Sequence, residues 1–125
     1  MTKEEIINLF NQEFDHVKDK FNIFDFALND PQVHAKENPL AMPGVYVFWK
    51  DNKVLRIGRH LINSRKRAFE HFPDNTGDKM IEIENDPQAH LLLFNLKKEE
   101  DKHWAAALEI FFELNLNPTI PSEHL

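Results

Sequence analysis

Every arginine of this 125-residue chain, Arg56, Arg59, Arg65 and Arg67, falls within RIGRHLINSRKR, residues 56–67, together with Lys66 and no acid. Guanidinium groups form paired hydrogen bonds with phosphate oxygens, so such a cluster is suited to binding phosphate. It is equally suited to pairing with the protein's own carboxylates. Arg67 and His71 stand four residues apart, which on a helix puts them on one face. Tyr46 is the single tyrosine beside eleven phenylalanines and two tryptophans. Where packing alone is needed this chain uses phenylalanine, so the hydroxyl at position 46 stands out. Glu109 is the one charged residue in WAAALEIFF, residues 104–112. A carboxylate in so apolar a helix needs a metal, a cation or several hydrogen bonds to offset its desolvation. A structural ion pair with one of the arginines would meet that need as well as a metal would. Glu113 follows one turn later on the same side, a second carboxylate for the site or, as rather expected, a residue of its rim.

Charge sharpens the contrast. The formal net charge is -6, and outside the arginine stretch 10 basic residues remain against 21 acidic ones. A uniformly acidic protein repels nucleic acid, whereas a concentrated basic patch binds it locally. The absence of cysteine excludes disulfides, thiolate catalysis and thiolate zinc sites. The seven histidines are scattered, and three glycines leave no phosphate-cradling glycine loop. No apolar run approaches the length needed to span a bilayer, and the first residues lack the pattern of a signal peptide. A cytoplasmic protein without membrane contact is expected.

The elements that must position these groups follow from periodicity. Thr2 and Glu5 fit a capping box, and Ile6, Phe10, Phe14, Val17 and Phe21 recur at helical spacing, predicting a helix over 2–21. Residues 25–43, with three prolines, read as an irregular connection. GVYVFWKDNKVLRIG reads as a β-hairpin turning at Asp51-Asn52. A simple two-residue turn would pair Tyr46 with Ile57 and put Arg56 on the opposite face, while a bulge would reverse that. Residues 63–72 read as a helix capped by Asn63 or Ser64, and a short helix is expected around 79–84. The apolar run AHLLLFNL, residues 89–96, predicts a strand buried on both faces. A last helix is expected from about Lys102 to Leu114, capped by Asp101. The sum is one α+β domain: residues 1–42 as an N-terminal helix and connection packed on a core, 43–125, of three antiparallel strands flanked by helices.

Several of these residues fall into the ordered pattern of a known family. Gly44-Val45-Tyr46 on the first strand, Ile57-Gly58 closing the second, Arg67 and His71 on the following helix, and Leu108-Glu109 nine residues before Pro118 resemble the GIY-YIG nuclease superfamily. The likeness covers residues 43–118. Arg56 stands where that family has its second-motif tyrosine, and Pro121 where it usually has an asparagine. The resemblance implies a divalent-metal-dependent endonuclease that hydrolyses phosphodiester bonds, with DNA as the expected partner. One Mg²⁺ or Mn²⁺ would sit on Glu109. Tyr46 would be the base or water-orienting group, helped towards its phenolate by Arg67, and Arg67 would also contact the phosphate. His71 would position the nucleophile or hydrogen-bond Tyr46. Gly44 and Gly58 would be structural, and Arg56, Arg59 and Arg65 would bind phosphate. The alternative implied by Arg56 is a catalytically decayed relative that binds nucleic acid without cutting it.

Overall fold

The computed structural model describes residues 1–34, 38–69 and 86–122. The chain runs α1 (Lys3–Glu13), β1 (Phe21–Ala27), β2 (Gly44–Lys50), β3 (Lys53–His60), α2 (Ser64–Phe69), β4 (His90–Leu96) and α3 (His103–Leu116), with short 3₁₀ turns between. The α+β class is as expected. The sheet has four antiparallel strands in the order β1-β4-β2-β3, not the three predicted.

The added strand comes from a misread boundary. The Thr2–Glu5 capping box is present, but α1 stops at Glu13 instead of running to residue 21. The helical stripe misled because Phe14, Val17 and Phe21 do reach the same core as Ile6 and Phe10, by a change of direction. From Phe21 the residues alternate between the sheet's two sides, and β1 pairs along the whole of β4, from Phe21–Leu96 to Ala27–His90. The central strand β4 is buried on both faces, as its apolar run predicts. Its backbone polar groups need a partner strand on each side, and β1 supplies the second.

Each face of the sheet has its own core. Val45, Val47, Ile57, Leu92, Phe94 and Leu96 pack against α1 and α3 through Phe10, Leu108 and Phe112. Tyr46, Phe48, Leu91 and Leu93 pack on the other face with Ala68 of α2 and with Leu28 and Leu40. Fully burying side chains of this size stabilises by about 1.5–3 kcal/mol each, so both layers hold the sheet rigid beneath the site.

The hairpin turns at Asp51 and Asn52, both left-handed (φ 52° and 58°), as a tight two-residue turn requires. A bulge between Phe48 and Trp49 then resets the register: Phe48 lies opposite Arg56, Tyr46 opposite Gly58 and Val45 opposite Arg59. Arg56 therefore shares the face of Tyr46, and Arg59 points to the α3 side. The strand β3 is an edge, covered in part by the chain after α3, where Thr119 and Ile120 donate to the carbonyls of Val54 and Leu55.

α3 begins at His103, and its N-cap is Lys102 without a side-chain cap, so Asp101 does not play the capping role expected of it. Asp101 instead pairs with Lys20 at 3.5 Å. The helix continues past residue 114 to Leu116 and ends at Asn117 in the left-handed conformation. Among the described residues no helix is long and apolar enough to cross a membrane.

Candidate functional site

A cleft of about 460 Å³ wraps round the far end of β3 and is lined by Tyr46, Arg56, Arg59, His60, Arg67 and Glu109, with Ser122 at its margin. Because β3 is the edge strand, side chains from both faces of the sheet meet there. Tyr46 and Arg67 come from the α2 face, and Glu109 and Arg59 from the α3 face.

Tyr46 is held by two opposing constraints. Its ring lies across Gly58, where any Cβ would overlap the ring and hydroxyl. Gly58 is thus needed for the space it leaves. The hydroxyl is hydrogen-bonded by Arg67, yet burial pushes its pKa from 10.0 up to about 12, outweighing the opposing pull of Arg67 and Arg56; Glu109 adds to the rise. Arg67 does pull towards the phenolate, as expected of it, but burial outweighs that pull. At neutral pH Tyr46 is a neutral hydroxyl that accepts from Arg67 and has its own proton to donate.

Arg67 owes its position to a buried polar network. The side chain of Asn63 caps α2 by accepting from Lys66 N at 3.0 Å. Ser64, wholly buried, donates to Asn95 Oδ1, and Asn95 Nδ2 donates to the carbonyls of Pro39 at 2.9 Å and Leu40 at 3.3 Å. This ties the start of α2 to the central strand and to the 38–40 turn. Gly44 makes the network possible, since a Cβ there would strike Asn95 Oδ1 and the carbonyl of Phe94.

Glu109 is 5% exposed, and its carboxylate is met by Arg59, whose side chain is 39% exposed. Of the compensations that sequence reasoning left open for this carboxylate, the structure shows the ion pair. Glu113, one turn on, is half-buried. Desolvation raises its pKa first and the nearby Glu109 charge adds to this, while the amide of Ser122 and the charge of Arg56 oppose it. Its Oε1 is buried with no hydrogen-bond partner among the described residues. Glu113 is therefore coupled to the site through charge, although it is not among the residues that line the cleft.

Sequence reasoning missed His60. Its Nδ1 accepts the amides of Asn63 at 2.9 Å and Ile62 at 3.3 Å, which leaves the proton on Nε2. The signal was its place inside the arginine stretch. His71 and the short helix around 79–84 lie outside the described residues. Arg65 sits on α2 away from the cleft lining, and its Nε is buried without a partner among the described residues. The structure therefore gathers Tyr46, Arg56, Arg59, Arg67 and Glu109, and leaves Arg65 apart.

Among the described residues no three His, Asp or Glu side chains surround a common point. A cation that keeps most of its waters needs fewer ligands. Glu109 and the unpartnered Glu113 oxygen one turn away are hard oxygen donors of the kind that an Mg²⁺-like ion takes. Comparison of the chain with protein-family models, with curated proteins and with solved structures gives no match.

Proposed function

We propose that this protein is a divalent-metal-dependent nuclease that hydrolyses nucleic-acid phosphodiester bonds, with DNA the expected substrate. The observation that carries the reading is the convergence, from β2, β3, α2 and α3, of one buried hydroxyl, three guanidinium groups and one buried carboxylate on a single cleft. The resemblance of the sequence to GIY-YIG nucleases supports the same residues.

In this reading a phosphodiester lies along the far end of β3. Arg56 and Arg67 contact its non-bridging oxygens and oppose the negative charge that builds as water attacks phosphorus and the bond to the leaving oxygen breaks. Tyr46, fixed by Gly58 and Arg67, orients the attacking water or a phosphate oxygen through its neutral O–H and does not ionise first. His60 Nε2–H is a further donor at the cleft. Glu109, with Glu113, would hold the metal, which when bound supplies Lewis acidity and lowers the pKa of coordinated water. The acidic balance of the rest of the chain confines affinity to this cleft and keeps the footprint short.

The test is cleavage of supercoiled plasmid, branched DNA, single-stranded DNA and RNA with Mg²⁺, Mn²⁺ or EDTA, with Glu109→Ala in parallel. Metal-dependent nicking that vanishes in the variant is the expected outcome. Two observations favour a second reading, a nucleic-acid-binding module without catalysis: Arg56 occupies the position of the family's tyrosine, and Arg59 occupies the carboxylate the metal would need. That reading predicts salt-sensitive binding and no cleavage by either protein.

A further inference from the structure

The ion pair in the cleft is unequal. Glu109 is buried on α3, whereas Arg59 is on the edge strand with over a third of its side chain in solvent. The carboxylate is the fixed member of the pair. The guanidinium, on a long flexible stem at the cleft mouth, is the movable one. Arg59 also lies within the arginine cluster that a phosphodiester would address, beside Arg56 and Arg67.

We infer that Arg59 is a positioning residue shared between two partners: it neutralises Glu109 in the empty cleft and transfers to a phosphate oxygen when substrate enters, leaving the carboxylate to a divalent cation. This rests on the proposed nuclease reading and adds an order of assembly to it. A buried carboxylate stripped of its cation is strongly disfavoured, so Glu109 needs Arg59 until another positive charge replaces it. A phosphate that draws Arg59 away creates that vacancy. A cation that takes Glu109 releases Arg59 for phosphate. By linkage each ligand favours the other, and the coupling runs through one side chain. The metal is then held chiefly when nucleic acid is present.

The coupling is testable without catalysis. Mn²⁺ binding would be followed by water-proton relaxation in the wild type and in Arg59→Gln, Glu109→Gln and the double variant. Sulfate would stand in for the phosphodiester oxygens, and circular dichroism would check folding. Arg59→Gln should bind Mn²⁺ at least about fivefold more tightly, and the gain should disappear in the double variant. Sulfate should tighten Mn²⁺ binding to the wild type and not to Arg59→Gln. Arg56→Gln, which removes the same charge from the same cleft, controls for simple electrostatics and should have the smaller effect.

A wild-type measurement stands beside these. With four arginines in the chain, the Arg59 Nε–H resonance can be followed by NMR and should move towards its solvent-exposed position as Mg²⁺ is added. Equal Mn²⁺ affinity of wild type and Arg59→Gln, both abolished by Glu109→Gln, would overturn the sharing and leave the nuclease reading intact. Mn²⁺ binding that ignores Glu109→Gln, or no binding at all, would overturn the sharing and take the metal out of the proposed mechanism as well. An Arg59 resonance that stays put while Mg²⁺ binds would overturn the sharing alone.

Discussion

The ionisation of Tyr46 can be read without knowing the substrate. It is the only tyrosine of the chain, so the near-ultraviolet phenolate band reports one group. Burial holds its pKa near 12 against 10.0 for a free phenol, a difference of about 3 kcal/mol between the two protonation states. Above pH 10 the unfolded chain sheds this proton while the folded chain keeps it. The folded state then binds more protons, so stability falls as pH rises and levels off beyond pH 12. By about pH 11 the loss from this one group is roughly 1 kcal/mol. Lysines titrate in the same range, and for that reason the informative quantity is a difference. Urea unfolding of wild type and Tyr46→Phe would be compared from about pH 9 to pH 11. The gap between them should shift by that amount, at the expense of the wild type. A rapid pH jump followed by phenolate absorbance, recorded ahead of unfolding, should give a midpoint near 12. A midpoint near 10 with a constant stability gap would mean that the hydroxyl faces solvent and that the buried, Arg67-bonded geometry is wrong.

Other consequences can be checked by mutation. Gly58→Ala must displace the Tyr46 ring and should cost about 1–3 kcal/mol in urea unfolding, with Gly44→Ala the larger loss because one obstacle there is the Phe94 carbonyl of the backbone. Asn95→Leu leaves Ser64 and the carbonyls of Pro39 and Leu40 unsatisfied, so a loss of about 2–4 kcal/mol is expected, together with weakened binding through a displaced Arg67. Glu109→Gln should reduce cleavage by at least about a hundredfold while nucleic-acid affinity at low salt rises, because a negative charge leaves the cleft and Arg59 is released. Filter binding across a salt series would show whether that rise fades with ionic strength, as it should.

Much of the architecture could be read from pattern. The Asp51-Asn52 turn, the doubly buried 89–96 strand and the Thr2–Glu5 cap are local signals with local causes, and all are present. The boundary of α1 was not legible, because Phe14, Val17 and Phe21 serve the same core whether the chain stays helical or turns into a strand. Only the need of β4 for a second hydrogen-bonding neighbour decides the matter, and that is a tertiary fact. In the site, Tyr46 and Glu109 were conspicuous as lone polar groups in apolar runs. Which arginine meets Glu109 was hidden, since it depends on a single-residue bulge that sends Arg56 to one face and Arg59 to the other. His60 escaped notice because its role comes from two amides that reach it through the loop after β3.

The edge position of β3 has a consequence for how the protein loses function under stress. The strand that joins the two halves of the cleft is also the outermost of the sheet, with one neighbouring strand and a short bridge from Thr119 and Ile120 to guard it. The central pair β2–β4 is buried on both sides and is expected to open last. Detachment of β3 alone would carry both Arg56 and Arg59 away from Glu109 and uncover the Tyr46 ring that Gly58 lies against, while the β1-β4-β2 part of the sheet stays formed. The amides of β3 should therefore exchange with solvent in a partial opening well below the global unfolding free energy, and β4 should exchange only with the whole. Heat or mild denaturant would then disarm the cleft before the protein unfolds, and recovery would require only that one strand be laid back.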